Sequence, residues 1–145
     1  MILVDAKQYL SQISRLNRTI QNKLSEISQL RELSFGIKAV VNEERVQTTP
    51  NFDKIGTSIA KIDEMERNLD TMIDEYVDNK NKIIQQIDSI EDEVLYGILF
   101  ARYIEKKTFE KIATEMNYSF RQIIRLHGKA LYEFDKMYGS QYHDL

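Results

Sequence analysis

One proline and five glycines in 145 residues leave this chain almost without backbone breakers. Average usage would supply roughly 12% Gly plus Pro, about three times as much. Sandwiches and barrels need a turn every 8–12 residues or so, and this sequence cannot provide them. The periodic apolar runs between those few breakers therefore predict an all-α fold.

The first run is Leu10, Ile13, Leu16, Ile20, Leu24, Ile27, Leu30 and Leu33. Its steps of three and four mark one amphipathic helix, and Ile37, Val40 and Val41 extend it past Gly36. Val46 to Gly56 holds the only proline and predicts the first loop. A second run follows at Ile62, Met65, Leu69, Met72, Tyr76, Asn79, Ile83, Gln86 and Ile90. Its alternating steps form a heptad seam with two polar members. Asn79 and Gln86 read as devices that fix register or partner, at some cost in stability. Two long helices with such seams predict a helical hairpin or coiled coil over residues 1–90. They pair within the chain or between copies, and a homo-oligomer is expected. The carboxylates from Asp63 to Asp78 include pairs four apart, but no Glu-x-x-His pair accompanies them. They are read as a solvated helix face, and no metal or cofactor is implied.

Composition removes several functions. There is no Cys and there are only two His, which excludes disulfides, thiolate metal sites and Cys nucleophiles. No nucleophile–base pair or phosphate loop is present, so no catalytic residues are assigned and an enzyme is not expected. The first residues lack a basic segment and reach Asp5 early, and no stretch is long enough to span a bilayer. A cytoplasmic protein with no membrane contact is the expectation. Charge is divided along the chain: residues 1–101 carry 12 Lys or Arg and 17 Asp or Glu, a net of −5. Residues 102–143 carry eight against five, a net of +3. Any polyanion should bind at the C-terminal end.

That end, residues 91–145, carries the most specific signals. A third helix restarts near Ser89 and Asp92 and closes at Lys106-Lys107, with Val94, Ile98, Leu99 and Tyr103 as its stripe. Thr108 caps a short helix to Met116, Asn117-Tyr118-Ser119 forms a turn, and a longer helix runs to about Met137. Ser119 and Gln122 make a capping box, while Tyr118 and Ile123 occupy the positions of a hydrophobic staple. This is the plan of a helix-turn-helix domain. Ala113 falls where the helices cross, and Asn117 holds the turn site that favours a left-handed backbone. Ile123, Leu126, Ala130, Phe134 and Met137 form the inner stripe of the second helix. Arg121, Arg125, Lys129, Tyr132 and Lys136 form the outer one. The candidate DNA-binding residues are Lys106, Lys107, Lys111, Ser119, Phe120, Arg121, Gln122, Arg125 and Lys129. Arg121, Gln122 and Arg125 would reach base edges and the lysines would hold phosphates. Phe120 either touches a thymine methyl or packs sideways. His127 reads as packed or as a phosphate contact. Gly128, costly inside a helix, suggests close approach of another backbone.

Arg102-Tyr103-Ile104, Ile112-Ala113, Tyr118-Ser119-Phe120-Arg121-Gln122 and Arg125-Leu126-His127-Gly128-Lys129-Ala130-Leu131 together form a recognisable pattern. It resembles region 4 of sigma-70-type sigma factors over about residues 94–134. It is most similar to the sigma-region-4-like regulators of phages and prophages of Gram-positive bacteria, relatives in organisation of the ArpU and RinA late-transcription regulators. The resemblance implies sequence-specific binding to double-stranded promoter DNA, regulation of phage late genes, and contact with host RNA polymerase. Two alternatives stay open. One is an RNA polymerase-binding protein that keeps the region-4 shape without reading DNA; the other is a structural coiled-coil assembly protein.

Overall fold

Side-chain caps fix most of the helix starts among the described residues. In the computed structural model, residues 4–43 and 52–143 are described, the side chains of 35–55 excepted. Five α-helices and two short non-α turns account for nearly all of them, and no strand occurs among the described residues. Helix α1 spans Ala6–Glu43. Ahead of it the Asp5 carboxylate accepts from the Gln8 amide at 2.7 Å, and the Gln8 side chain accepts from the Asp5 amide at 3.1 Å. Gly36 does not interrupt α1, as the apolar period predicts. Helix α2 spans Phe52–Asp88, so it begins inside the expected loop; residues 44–51 of that loop lie outside the described residues.

Helix α3 spans Glu93–Leu99. Its cap is Asp92, whose carboxylate accepts from the amides of Val94 and Leu95. Ser89 is not the cap; its hydroxyl donates back to the Gln86 carbonyl at 2.6 Å, closing α2. From Phe100 to Ile104 the helix widens into a π-turn, with the Glu105 amide donating to the Phe100 carbonyl. Lys106 then takes a left-handed backbone, φ 58°, and the chain turns toward Thr108. Helix α4 spans Phe109–Met116 with Thr108 as its cap. Asn117 sits at φ 59°, ψ 38°, and the Tyr118 amide reaches the Ala113 carbonyl at 3.0 Å. That is the glycine-type helix stop, made here by asparagine. Helix α5 spans Phe120–Tyr138, with the Ser119–Gln122 capping box formed in both directions.

The chain divides into two compact units, Met1–Arg15 with Tyr76–Leu145, and Leu16–Glu75. The division does not fall at residue 90, because the C-terminal helices share their core with both ends of the long pair. Ala6, Tyr9, Leu10 and Ile13 of α1 and Ile83 and Ile87 of α2 are buried in one cluster with Leu99, Tyr103, Ala130, Phe134 and Tyr142. Tyr9 stacks on Tyr142 at 4.3 Å and donates to the Gln86 side chain at 2.7 Å. Gln86 is buried, and its amide donates onward to Gln141 at 3.2 Å. The polar seam residue is thus satisfied inside the chain. A second cluster joins Ile98, Ala101, Ile112, Ala113 and Ile123, and it holds α4 and α5 to the end of α3.

In the other unit, Ile20 and Ile27 of α1 and Ile62 and Leu69 of α2 are buried. Arg31 and Glu66 form an ion pair between the two helices. These stretches therefore meet within one chain. Leu24, Leu33, Ile59 and Ile73 remain exposed. No helix among the described residues is long and apolar enough to cross a membrane.

Candidate nucleic-acid interface

The outer side of α5 is set by what its inner side buries. Ile123, His127, Ala130 and Phe134 turn into the core. Met137, expected among them, is 46% exposed, and Tyr138 packs instead, its ring 5.2 Å from that of Phe134. Tyr118, expected as one half of a staple, is 36% exposed. Four-residue steps along a 3.6-residue helix drift round the axis, which carries the buried stripe from Phe134 to Tyr138 and leaves Met137 outside.

Opposite this stripe, Arg121, Gln122, Arg125, Gly128, Lys129 and Tyr132 are exposed. Arg121, Arg125 and Lys129 make no ion pair or hydrogen bond with any described residue. Gln122 is partly committed. Its carbonyl oxygen accepts from the Ser119 amide at 2.9 Å, and only its NH2 group is left to an outside acceptor. The Ser119 hydroxyl accepts from the Gln122 amide at 3.1 Å and is the cap itself. A depression in the surface is lined by Ser119, Arg121, Gln122, Ile124 and Arg125. Ser119, the cap, and Phe120, Arg121, Gln122 and Arg125 of α5 are therefore brought together at the exposed start of one helix, with Lys129 a turn further on.

The remaining three lysines behave differently. Lys106 and Lys111 are exposed, on the turn before α4 and on α4. Lys107 lies 2.8 Å from Glu115 and 3.2 Å from Glu105. Those hydrogen bonds, Glu115 first, raise its pKa and lower that of Glu115. Lys107 is a clasp between the turn and α4, with its charge already matched. Arg102 is structural as well: it lies over the Phe109 ring at 4.2 Å and donates to the Lys107 carbonyl.

Behind the interface, His127 shares a 2.8 Å hydrogen bond with the Tyr103 hydroxyl and meets Phe109 edge-on at 4.7 Å. Burial, with Arg102 and Lys7 nearby, pushes its pKa down to about 4, so it packs as a neutral ring. Burial likewise pushes Tyr103 up to about 12. Gly128 has no backbone against it: a Cβ there would meet nothing within 4 Å. Sequence reasoning missed Ile124, 41% exposed beside Arg121 and Arg125. Its position between the inner and outer stripes was the available signal. No family model, curated protein or solved structure matches this chain.

Proposed function

We propose that the protein is a sequence-specific, double-stranded DNA-binding transcription regulator that inserts the start of α5 into the major groove. The observation carrying this reading is the pair Arg121 and Arg125. They stand one turn apart on the exposed side of a helix with a fixed start, and no described residue pairs with either charge. Two short-linked helices, with Ala113 buried in the cluster that joins them to α3, support a helix-turn-helix reading in which such a pair would face base edges. The sequence likeness to sigma region 4 supports a promoter target, phage late genes, and host RNA polymerase as a second partner. The exposed apolar residues of the Leu16–Glu75 unit favour self-association as well, with a second copy covering Leu24, Leu33, Ile59 and Ile73. Sedimentation equilibrium on the full chain reads that assembly, and a monomer at the concentrations used for DNA binding removes it.

Affinity selection from a random duplex pool, followed by substitution, tests the DNA reading. A lost bidentate arginine–base contact costs about 1–3 kcal/mol. Arg121→Ala or Arg125→Ala should then weaken the selected site about 5- to 150-fold while random DNA changes little. Equal losses on both DNAs would show that α5 is merely basic. No DNA affinity combined with capture of purified RNA polymerase would transfer the function to the polymerase-binding alternative.

A further inference from the structure

Two large apolar side chains near the start of α5 stay nearly half exposed. Phe120 is 48% and Ile124 41% exposed, and neither joins a core cluster of its unit. About half of the Phe120 side chain stays open to an outside group. Four residues apart, the two share one edge of the helix, and Gly128, without a side chain, lies between that edge and Arg121. Arg121 lies about 60° round the axis from Ile124, and Arg125 about 100°. Gln122 and Lys129 fall on the other edge. The outer side of α5 is therefore asymmetric, polar and cationic on one flank and apolar on the other.

An occupant must offer negative charge to the arginines and an apolar group beside it. The DNA major groove does both. Its phosphates line the rims, and the one apolar group on its base edges is the thymine C5-methyl. The two guanidinium groups make the charge match, and the shared depression sets Ile124 next to them. We propose that Phe120 and Ile124 pack on thymine methyl groups, so that the protein selects A·T pairs in a fixed strand orientation beside the bases read by Arg121 and Arg125. Gly128 then leaves room for the groove wall next to that edge. The inference rests on the DNA-binding reading.

The test uses the full chain and its selected duplex, with each thymine replaced singly by deoxyuridine, which lacks only the methyl. Burying one methyl-sized group corresponds to about a 4-fold change in affinity. One or two thymines should therefore show a loss of about 3- to 5-fold on replacement. Ile124→Ala and Phe120→Ala, each checked for unchanged helical circular dichroism and melting, should bind the thymine and uracil duplexes alike at one of those positions. Sequence-selective binding with no sensitivity to uracil anywhere would overturn the proposal and leave the DNA reading standing. So would discrimination that persists unchanged in both variants. Variants that abolish self-association in sedimentation while keeping the discrimination would assign the edge to protein contact. Failure to select any duplex would overturn the proposal together with the DNA reading.

Discussion

His127 shows how one residue of α5 is set by the core behind its exposed face. An imidazole is useful at that position as a ring with a hydrogen-bonding nitrogen: it packs on Phe109 and meets the Tyr103 hydroxyl. Its charged form is opposed by burial and by Arg102 and Lys7, which hold the folded pKa at about 4 against an ordinary 6.5. Above the ordinary value both folded and unfolded chains carry neutral His127, and its contribution to stability is complete. Between about 6.5 and about 4 the unfolded chain takes up a proton that the folded one refuses, so stability falls as the pH falls. At about 1.4 kcal/mol per unit the full loss is on the order of 3 kcal/mol. Urea midpoints measured from about pH 7 to about pH 4 should fall less steeply for His127→Gln than for the natural chain. Parallel curves would mean that the imidazole is solvated in the folded state. Gly128, next along α5, is a different case. The sequence suggested that a second backbone pressed on it, and the structure shows open space instead.

At the scale of elements, the informative signals are the short-range ones. Thr108, Asn117 and Ser119 act within three or four residues of themselves, so their effect on α4 and α5 was legible before any tertiary contact was considered. Ser119 accepts from the Gln122 amide, and losing such a cap typically costs about 1 kcal/mol. Ser119→Ala should lower the urea midpoint accordingly, while Ser119→Asp should keep it. If both variants match the natural chain, α5 is held by its core contacts alone. Long-range choices were not legible in the same way. Asp92 rather than Ser89 caps α3, because the Ser89 hydroxyl is taken up by the Gln86 carbonyl and by the Tyr138 hydroxyl from far along the chain. Tyr142 lies far along the chain from Tyr9, and nothing in a periodic pattern announces that the two rings stack. The same contact explains why the first turns of α1 belong with the C-terminal helices. Exposure of Ile124 was hidden for a related reason: helical spacing ranks a residue by angle, but only the neighbouring elements decide whether that angle is covered.

For the whole molecule, the proposed DNA binding has to work with a divided charge. Residues 1–101 carry a net of −5, whereas in residues 102–143 eight Lys or Arg stand against five Asp or Glu. Formal charge nevertheless overstates what is available there. Lys107 is held between Glu105 and Glu115, and Arg102 is committed to the Phe109 ring and the Lys107 carbonyl. Lys106, Arg121, Arg125 and Lys129 make no ion pair or hydrogen bond with a described residue. Each phosphate neutralised by a protein cation contributes about 0.9 to the slope of log affinity against log salt. Lys129→Ala should therefore flatten that slope by about one unit and weaken all sequences alike. Lys107→Ala should leave the slope unchanged, because a lysine held by two carboxylates neutralises no phosphate and so displaces no counterion from the DNA. Its effect should appear in thermal unfolding, where the turn before α4 loses its clasp to Glu115. Titrations of both variants at several salt concentrations separate the two lysines. A slope lowered equally by both would show that Lys107 leaves its carboxylates when DNA binds, and that the clasp opens on contact.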